Sequence, residues 1–550
     1  MRTLPESHQD SRPKTPDERT VLLDEPRIET VYYPRPSKRR QSCSCCFLSI
    51  LITVLLLRLA NYLWRNPAPQ SHDVEPRSVA VIGAGPAGLA CALSLQKFSK
   101  DSGLNISVTV FEAADVLGGR LSLGTTVYPY NDAAQDPISA EDIAGNIILH
   151  ENSKMRQAAE RLLQRAITFE ELPAHDVAYF DGEKLTSWET RPVSETSWRR
   201  WFSQSWQYGP FVVKSGRNIL HDAKSQIARL SEGDLQSGIK EMLKKTHNMD
   251  GVTKTAQVTL DAYSLSAKYQ HEVLDPQIRR ILGIAPHGIN ALQLASALAA
   301  QDTRGYTTED PVLNTLWELV ALNSLDIRLG HNVTAVAQDE AGRGRDGNWT
   351  VRCVSEAGRR SQVLHFDQVV LSAPGISDLV NKPKIWTNVT ADGVPLYRPV
   401  FVTFFATRQL LDPSTFDAAQ ALPKQILFVD SPNLGQFKHV TEISYLRPII
   451  RTRFGVPKGE AHLYRAVMTD DSADVLGSLT QSEAVDWAHT FKFEHGYAVL
   501  YPQTSFRSFA LDEHGLWQTS AIDSVGTSFD LSWMAGEAVA KQIIDQILAA

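Results

Sequence analysis

Three groups of residues in this 550-residue chain have the types and spacing to hold a phosphorylated ligand. The first lies in "VAVIGAGPAGLACALSL", residues 79–95, where an apolar run meets Gly83, Gly85 and Gly88 and then continues with helical apolar spacing. It reads as a buried strand, a tight turn and a helix. Gly83 permits the turn, Gly85 lets the backbone approach a pyrophosphate, and Gly88 lets helix and strand pack closely. The helix N-terminus offers its free N–H groups and positive dipole end to that pyrophosphate. The second is Glu112, at the end of the next strand, "VTVFE", where the dinucleotide fingerprint needs a carboxylate for a ribose hydroxyl. The third is "ADVLGGRLS": Gly118 and Gly119 suit a chain passing under a bulky cofactor, and Arg120 supplies a cation for a pyrophosphate. Without a ligand, the same residues would be a glycine-rich core turn, a solvated strand end and a surface arginine.

Two later segments decide between nucleotides. "DQVVLSAPG" is a short buried strand ending in small residues, like the strand that re-enters the nucleotide domain in two-dinucleotide-fold flavoproteins. Near the C-terminus, in "AIDSVGTSFDLSWMAGEAVAKQIIDQI", Asp523 precedes a small-residue turn and a long amphipathic helix. In such flavoproteins an acid there holds the ribityl or phosphate region. A simple NAD domain needs neither the glycine pair after its acid nor this C-terminal return, so the reading is FAD.

These elements imply an α/β fold. An FAD-binding Rossmann-like domain (two-dinucleotide-binding, amine-oxidase-like) is interleaved with an α+β substrate domain and preceded by one N-terminal transmembrane helix. The expected FAD-binding parts are 78–150, 331–386 and a return at 501–550. Substrate parts are expected at 151–330, mostly helical, and at 387–500, where "PVFVTFFAT", "KQILFVD" and "HLYRAVM" read as strands of a second sheet. In "NVTAV", Val333 holds the position that touches adenine in such flavoproteins, a placement that would bury Asn332. The aromatics of "SWRRWFSQSWQYGPF", among them Trp198, Trp201, Phe202, Trp206 and Phe211, are either helix core or an apolar pocket wall facing the flavin.

Ahead of these domains, residues 1–44 are polar and charged, with too little apolar surface to offset ordering entropy, and read as a disordered tail. Residues 45–64, "CCFLSILITVLLLRLANYLW", have the length of a membrane helix; 65–77 is a linker. Arg58 is off centre and can snorkel, and Tyr62 and Trp64 suit an interface. A signal peptide is the rival, but the preceding polar region is too long for one. Arg35, Lys38, Arg39 and Arg40 precede the run, which places the tail in the cytosol and the large domain in an endomembrane lumen, vacuole, lysosome or endoplasmic reticulum. The sequons at Asn105, Asn332, Asn348 and Asn388 add a minor vote for a glycoprotein. Cys43, Cys45 and Cys46 are either acylation sites or small boundary residues. Cys91 and Cys353 lie in the folded part, with Cys91 expected to be buried. A net charge of −7 argues against a nucleic-acid partner, and no spacing suits a metal site.

The interleaving, with "VIGAGPAGLA", "GGRLS" and "GNIILHENSKM", resembles the prenylcysteine oxidase family, also called prenylcysteine lyase. "WQYGPFVVKSGRNIL", "IRRILGIAPHGINALQLASALA" and "HGYAVLYPQTSF" follow that family in order and spacing, and the likeness runs from about Ser78 to the end. It implies an FAD-dependent thioether oxidase whose substrates are an apolar prenyl thioether and oxygen. His150 matches a family histidine near the flavin, as a site group or a structural hydrogen-bonding residue. This chain departs from the family at Gly145-Asn146, in place of a glycine pair, and in the insertion "TTVYPYNDAAQDPIS". It also has "YTTEDPVLNTLWEL" where relatives carry a glycine-glycine-asparagine loop beside the active site. Two rivals stay open: another FAD oxidase or desaturase of an isoprenoid or amine, and a non-catalytic prenyl-binding protein of the Rab escort and GDI type.

Overall fold

The computed structural model describes Arg58 and residues 76–549, apart from 140–141, 144–152, 172–174, 192–197, 302–305, 309–311, 339–348, 356–359, 381–395, 454–455 and 472–484. The expected tail, the anchor apart from Arg58, and nearly all of the linker therefore lie outside the described residues. Among those described, no helix is long and apolar enough to cross a membrane. Ser71–Ala550 form one compact unit by their internal contacts.

A five-stranded sheet organises the nucleotide side. Its strands are β1 (Arg77–Ile82), β2 (Ile106–Phe111), β7 (Asp326–Arg328), β11 (Gln368–Leu371) and β17 (Leu516–Gln518), in the order β17-β11-β1-β2-β7. Every pairing is parallel. A parallel sheet is covered on both faces, which is why β1 reads as a continuous apolar run. Alternate residues serve the two covers. Val79 and Val81 join the core under the helix Pro86–Ser102 and the C-terminal helix Phe529–Ala549. Ala80, Ile82 and Phe111 pack against a three-stranded antiparallel meander of β8 (His331–Gln338), β9 (Trp349–Ser355) and β10 (Arg360–Phe366).

The second large sheet has seven strands, in the order β16-β12-β15-β14-β13-β4-β5. They are β4 (His175–Phe180), β5 (Leu185–Arg191), β12 (Leu396–Thr407), β13 (Gln425–Phe428), β14 (Val440–Arg453), β15 (Val456–Met468) and β16 (Val485–Val499). Two short strands, β3 (Phe169–Glu171) and β6 (Tyr306–Thr308), pair separately. Helices fill much of 198–323, but β4 and β5, which precede them within the 151–330 segment, extend a sheet otherwise built from 396–499. Their alternation is short and their polar content high, so they read poorly from sequence. Both faces of this sheet are apolar. Phe401 and Phe405 face one core, whereas Val400, Val402 and Phe404 face another that includes Val127 and Ile138 of the 125–139 insertion. The insertion thus covers part of the sheet, closed by the Ile138 N–H donating to the Val127 carbonyl at 2.8 Å.

Candidate FAD site and substrate wall

The three glycines of the first turn do three separate jobs. Gly83 sits at φ +109°, in the region that favours glycine, and its N–H donates to the Phe111 carbonyl at 2.7 Å. A Cβ on Gly88 would lie 1.9 Å from the Gly83 carbonyl oxygen, so the helix can sit on the strand only without that atom. Gly85 meets no close protein neighbour; its nearest is the Gly119 Cα, 3.8 Å from where a Cβ would be. The glycine-glycine-arginine loop crosses directly over this turn, held by the Gly118 N–H donating to the Ala84 carbonyl at 2.9 Å. The result is a floor without side chains. No side chain caps the helix at Gly85 and no acid lies in its first turn, which leaves the first N–H groups to an anionic ligand.

Glu112 stands at the carboxyl end of β2. Its Oε2 accepts from the Ala84 N–H at 2.7 Å and its Oε1 from the Ala114 N–H at 3.0 Å. Both oxygens are fixed, and each keeps a lone pair for a ribose hydroxyl. Beside it, the His331 N–H donates to the Glu112 carbonyl at 2.8 Å, so Val333 enters two residues on from the contact with Glu112. Val333 is 5 % exposed, in the core with Phe111 and Trp349. Asn332 is exposed rather than buried, because successive strand residues point to opposite faces.

Arg120 and Asp523 are brought together, 403 positions apart (523 − 120), with an N–O distance of 3.7 Å. Asp523, 3 % exposed, follows β17 in the short turn Ser520–Ser524, at the same carboxyl end of the sheet as Gly83 and Glu112. That edge is where open α/β sheets bind ligands. Sequence reading missed the next member: the Tyr397 hydroxyl donates to Asp523 Oδ2 at 2.7 Å. Burial, and then the Asp523 carboxylate, push the Tyr397 phenol far up, so it stays a proton donor. Tyr397 begins β12 and packs edge-on against His495 of β16, ring centroids 5.1 Å apart. His495 in turn lies over Gly375 of "LSAPG", where a Cβ would come within 2.4 Å of Nε2. The seven-stranded sheet therefore touches the five-stranded sheet's carboxyl edge at Asp523. A lone tyrosine at a strand start carries no sequence signal for this.

The helical aromatics lie elsewhere than either expectation placed them. Of the helical aromatics, Phe202, Trp206 and Phe211 are exposed, not core and not pocket; the side chains of Trp198 and Trp201 lie outside the described residues. The aromatic row lies instead on β16, where Trp487, His489, Phe491 and Phe493 alternate on one face of the strand, half-buried beside Phe404. His489 and Phe491 rings are 4.4 Å apart, and burial lowers the His489 imidazole. This row leads along one strand toward His495 and the Asp523 site. The resemblance segment "IRRILGIAPHGINALQLASALA" clamps the far end of β16. Gln293 Oε1 accepts from the Leu500 N–H at 2.8 Å and the Tyr497 hydroxyl donates to the Arg280 carbonyl at 3.2 Å, while the Arg280 guanidinium pairs with the buried Glu442 of β14 at 2.5 Å. Burial raises the Glu442 carboxyl, but Arg280 and Arg465 outweigh it and hold the group well below the usual carboxylate range. From "HGYAVLYPQTSF", Gln503 donates to the Ser524 carbonyl at 2.6 Å, tying the lobe to the C-terminal return.

His150 and Gly145-Asn146 lie outside the described residues. Cys91 and Cys353 are buried free thiols, and burial raises Cys91 strongly. Among the described residues no cluster of His, Cys, Asp or Glu could hold a metal ion.

The residues present fit FAD. The side-chain-free floor suits a pyrophosphate, the fixed Glu112 carboxylate suits a ribose, and the buried Ser372 Oγ at the end of β11 has no partner among the described residues. A family model described as prenylcysteine lyase matches residues 195–549. One described as an NAD(P)-binding Rossmann-like domain matches 81–156. No curated protein matches. Solved structures similar in chain path include wild-type putrescine oxidase bound to putrescine, at 16 % identity and a TM-score of 0.49, covering 86 % of this chain and 99 % of that one. Cyclohexylamine oxidase from Brevibacterium oxydans IH-35A gives 14 % identity and a TM-score of 0.47, covering 86 % and 100 %.

Proposed function

The chain belongs to the prenylcysteine lyase family, and from that premise we propose that it is a thioether oxidase that cleaves farnesyl- and geranylgeranylcysteine. It is an FAD-dependent oxidoreductase with a Rossmann-like nucleotide domain. The observation that carries the finer reading is the extent of the match. Residues 195–549 take in the helical lobe, the strands from β12 to β16 and the Asp523 return, which is the substrate half of the molecule and not only its cofactor motifs.

In balance, the prenyl thioether, oxygen and water give an isoprenoid aldehyde, free cysteine and hydrogen peroxide. When bound, FAD supplies the two-electron acceptor, taking hydride from the allylic carbon bonded to sulfur and passing the electrons to oxygen. In this reading Gly83, Gly85, Gly88, Gly118, Gly119 and Arg120 hold the pyrophosphate. Glu112 holds a ribose, Val333 borders the adenine, and Asp523, oriented by Tyr397, holds the ribityl region. The aromatic row of β16 takes the isoprenoid tail and keeps water from it, each buried CH₂ contributing about 0.8 kcal/mol. A cation shared by sulfur and the alkene needs no protein base for hydride loss, which fits a site whose fixed groups bind and orient.

The substituted loop "YTTEDPVLNTLWEL" favours one alternative, an FAD oxidase or desaturase acting on another isoprenoid or an amine. The complete glycine set and the doubly anchored Glu112 count against a non-catalytic prenyl-binding protein. We also place the domain in an endomembrane lumen behind an anchor at 45–64, from the charge asymmetry of the sequence. The direct test is product analysis. Given farnesylcysteine and oxygen, the protein should release cysteine, aldehyde and peroxide in equal amounts; peroxide from an amine, with none from farnesylcysteine, would give the alternative its substrate.

A further inference from the structure

The helix pair that carries the solvent-exposed aromatics has a surface that the proposed chemistry leaves unexplained. Trp198–Tyr208 and Pro210–Ser231 are joined at Gly209, at φ +93°. One side of the pair is fixed inside: Tyr208, Val213, Gly216 and Ile219 are in the core, and a Cβ on Gly216 would lie 2.3 Å from the Tyr269 hydroxyl. The other side presents Phe202, Trp206 and Phe211 to solvent at 60, 85 and 84 % exposure. Phe202 and Trp206 are spaced i, i+4 and share a helix face. Phe211 continues into Lys214 and Arg217, both exposed, at the i, i+3 spacing of the next helix. Phe202 and Trp206, neighbours on one helix face, make a contiguous apolar patch of the kind that marks an interaction site.

We propose that this face docks on an anionic lipid surface. Charge selects that occupant over a second copy of the chain, which would bring two basic faces together, and the aromatic rings select it over a purely acidic one. Residues 198–221 carry four basic residues, Arg199, Arg200, Lys214 and Arg217, and no acid, in a chain whose net charge is −7. Aromatics flanked by cations on a helix with a polar remainder form the pattern of an interfacial helix, with rings at the headgroup level and lysine or arginine on the phosphates. The length of chain ahead of the domain agrees. The apolar run 45–64 ends 12 residues (65–76) before β1, and an anchor there tethers the domain within about 40 Å of the bilayer. The inference rests on the proposed function only for its purpose: a prenyl thioether partitions into lipid, and a docked enzyme collects it there.

The test uses Ser71–Ala550, a compact unit with its own core, loaded with FAD, in flotation with phosphatidylcholine vesicles with and without phosphatidylserine. Anionic vesicles should carry the protein and added salt should release it. Lys214→Gln/Arg217→Gln should weaken binding roughly thirty-fold, the loss of two surface-held cations. Trp206→Glu/Phe211→Glu should abolish it, with flavin absorbance and thermal unfolding unchanged, since both side chains are open to solvent. Turnover of detergent-dispersed farnesylcysteine should be unchanged in these variants, so failure of docking and failure of the thioether reading are separable. Wild-type protein left at the bottom of the gradient, variants that float like wild type, or aromatic substitutions that instead break a dimer in solution would each overturn the proposal.

Discussion

Replacing glycines one at a time separates those that bind the cofactor from those that pack the fold. Gly85 has φ −75° and ψ 177°, open to any residue, and its nearest protein atom to a new Cβ is 3.8 Å away. Gly85→Ala should leave the apoprotein as stable as wild type. Its methyl would stand on the floor proposed for the pyrophosphate, so FAD affinity should fall by about tenfold or more, the equivalent of 1.4 kcal/mol. Gly88→Ala is different, because its Cβ would lie 1.9 Å from a backbone oxygen that cannot rotate away. Gly536 was invisible as a site from the motif, yet a Cβ there would meet the Ala87 carbonyl oxygen at 2.2 Å, from the opposite side of the same turn. Clearing either overlap needs the helix to move by roughly an ångström, and overpacking of this kind costs about 1–3 kcal/mol. Gly88→Ala and Gly536→Ala should therefore lower both apoprotein stability and FAD affinity. Chemical denaturation of apoprotein and titration with FAD, followed by quenching of flavin fluorescence, give the two numbers. Unchanged FAD affinity in Gly85→Ala, or Gly536→Ala as stable as Gly85→Ala, would refute the division of labour.

Tyr397→Phe removes a hydrogen bond to a buried carboxylate, worth about 1.5–3 kcal/mol; FAD should bind more weakly and its absorbance bands should shift, whereas an unaltered spectrum and affinity would remove Tyr397 from the site. Asp275 is buried and its carboxyl is pushed up to about 6, by burial first, with His271 and His287 pulling it down. Its folded value lies above the unfolded one near 3.8, so the folded state prefers the proton; stability should rise as pH falls from 7 through 6 toward 4, by on the order of 3 kcal/mol. Denaturation of wild type and Asp275→Asn at pH 7 and pH 5 checks it, and a rise of the same size in the variant would contradict it. Below about 4.5 the sign reverses at Glu442, whose depressed carboxyl loses its two arginine partners on protonation. Full-length chain should resist carbonate extraction from membranes, with its C-terminal domain protected in sealed microsomes; release by carbonate would remove the anchor.

How much of this was legible follows from what each signal is made of. The parallel sheet's first strand, its glycine turn and Glu112 are local in sequence, and each names its own job. Asp523 was readable because a small-residue turn and a long helix frame it. Tyr397 was not, because its role comes from packing between two domains. The aromatics misled for a physical reason. Phe202, Trp206 and Phe211 have the composition of a pocket wall, and only the helix rotation, set by Tyr208 and Val213 on the buried side, turns them to solvent. The row on β16 escaped notice because "DWAHTFKFEHGYAV" alternates aromatic with charged and small residues, the pattern of a half-exposed edge strand.

Mixing the FAD-loaded protein with farnesylcysteine under nitrogen, and following the flavin band in a stopped-flow instrument, isolates the carbon–hydrogen step from reoxidation. The thioether reading predicts that the band bleaches at a rate that saturates with farnesylcysteine and returns on adding oxygen, with geranylgeranylcysteine equally competent and a short S-alkyl cysteine inert. A flavin that stays oxidised with both prenylcysteines, and bleaches with an amine or a different isoprenoid, would contradict it.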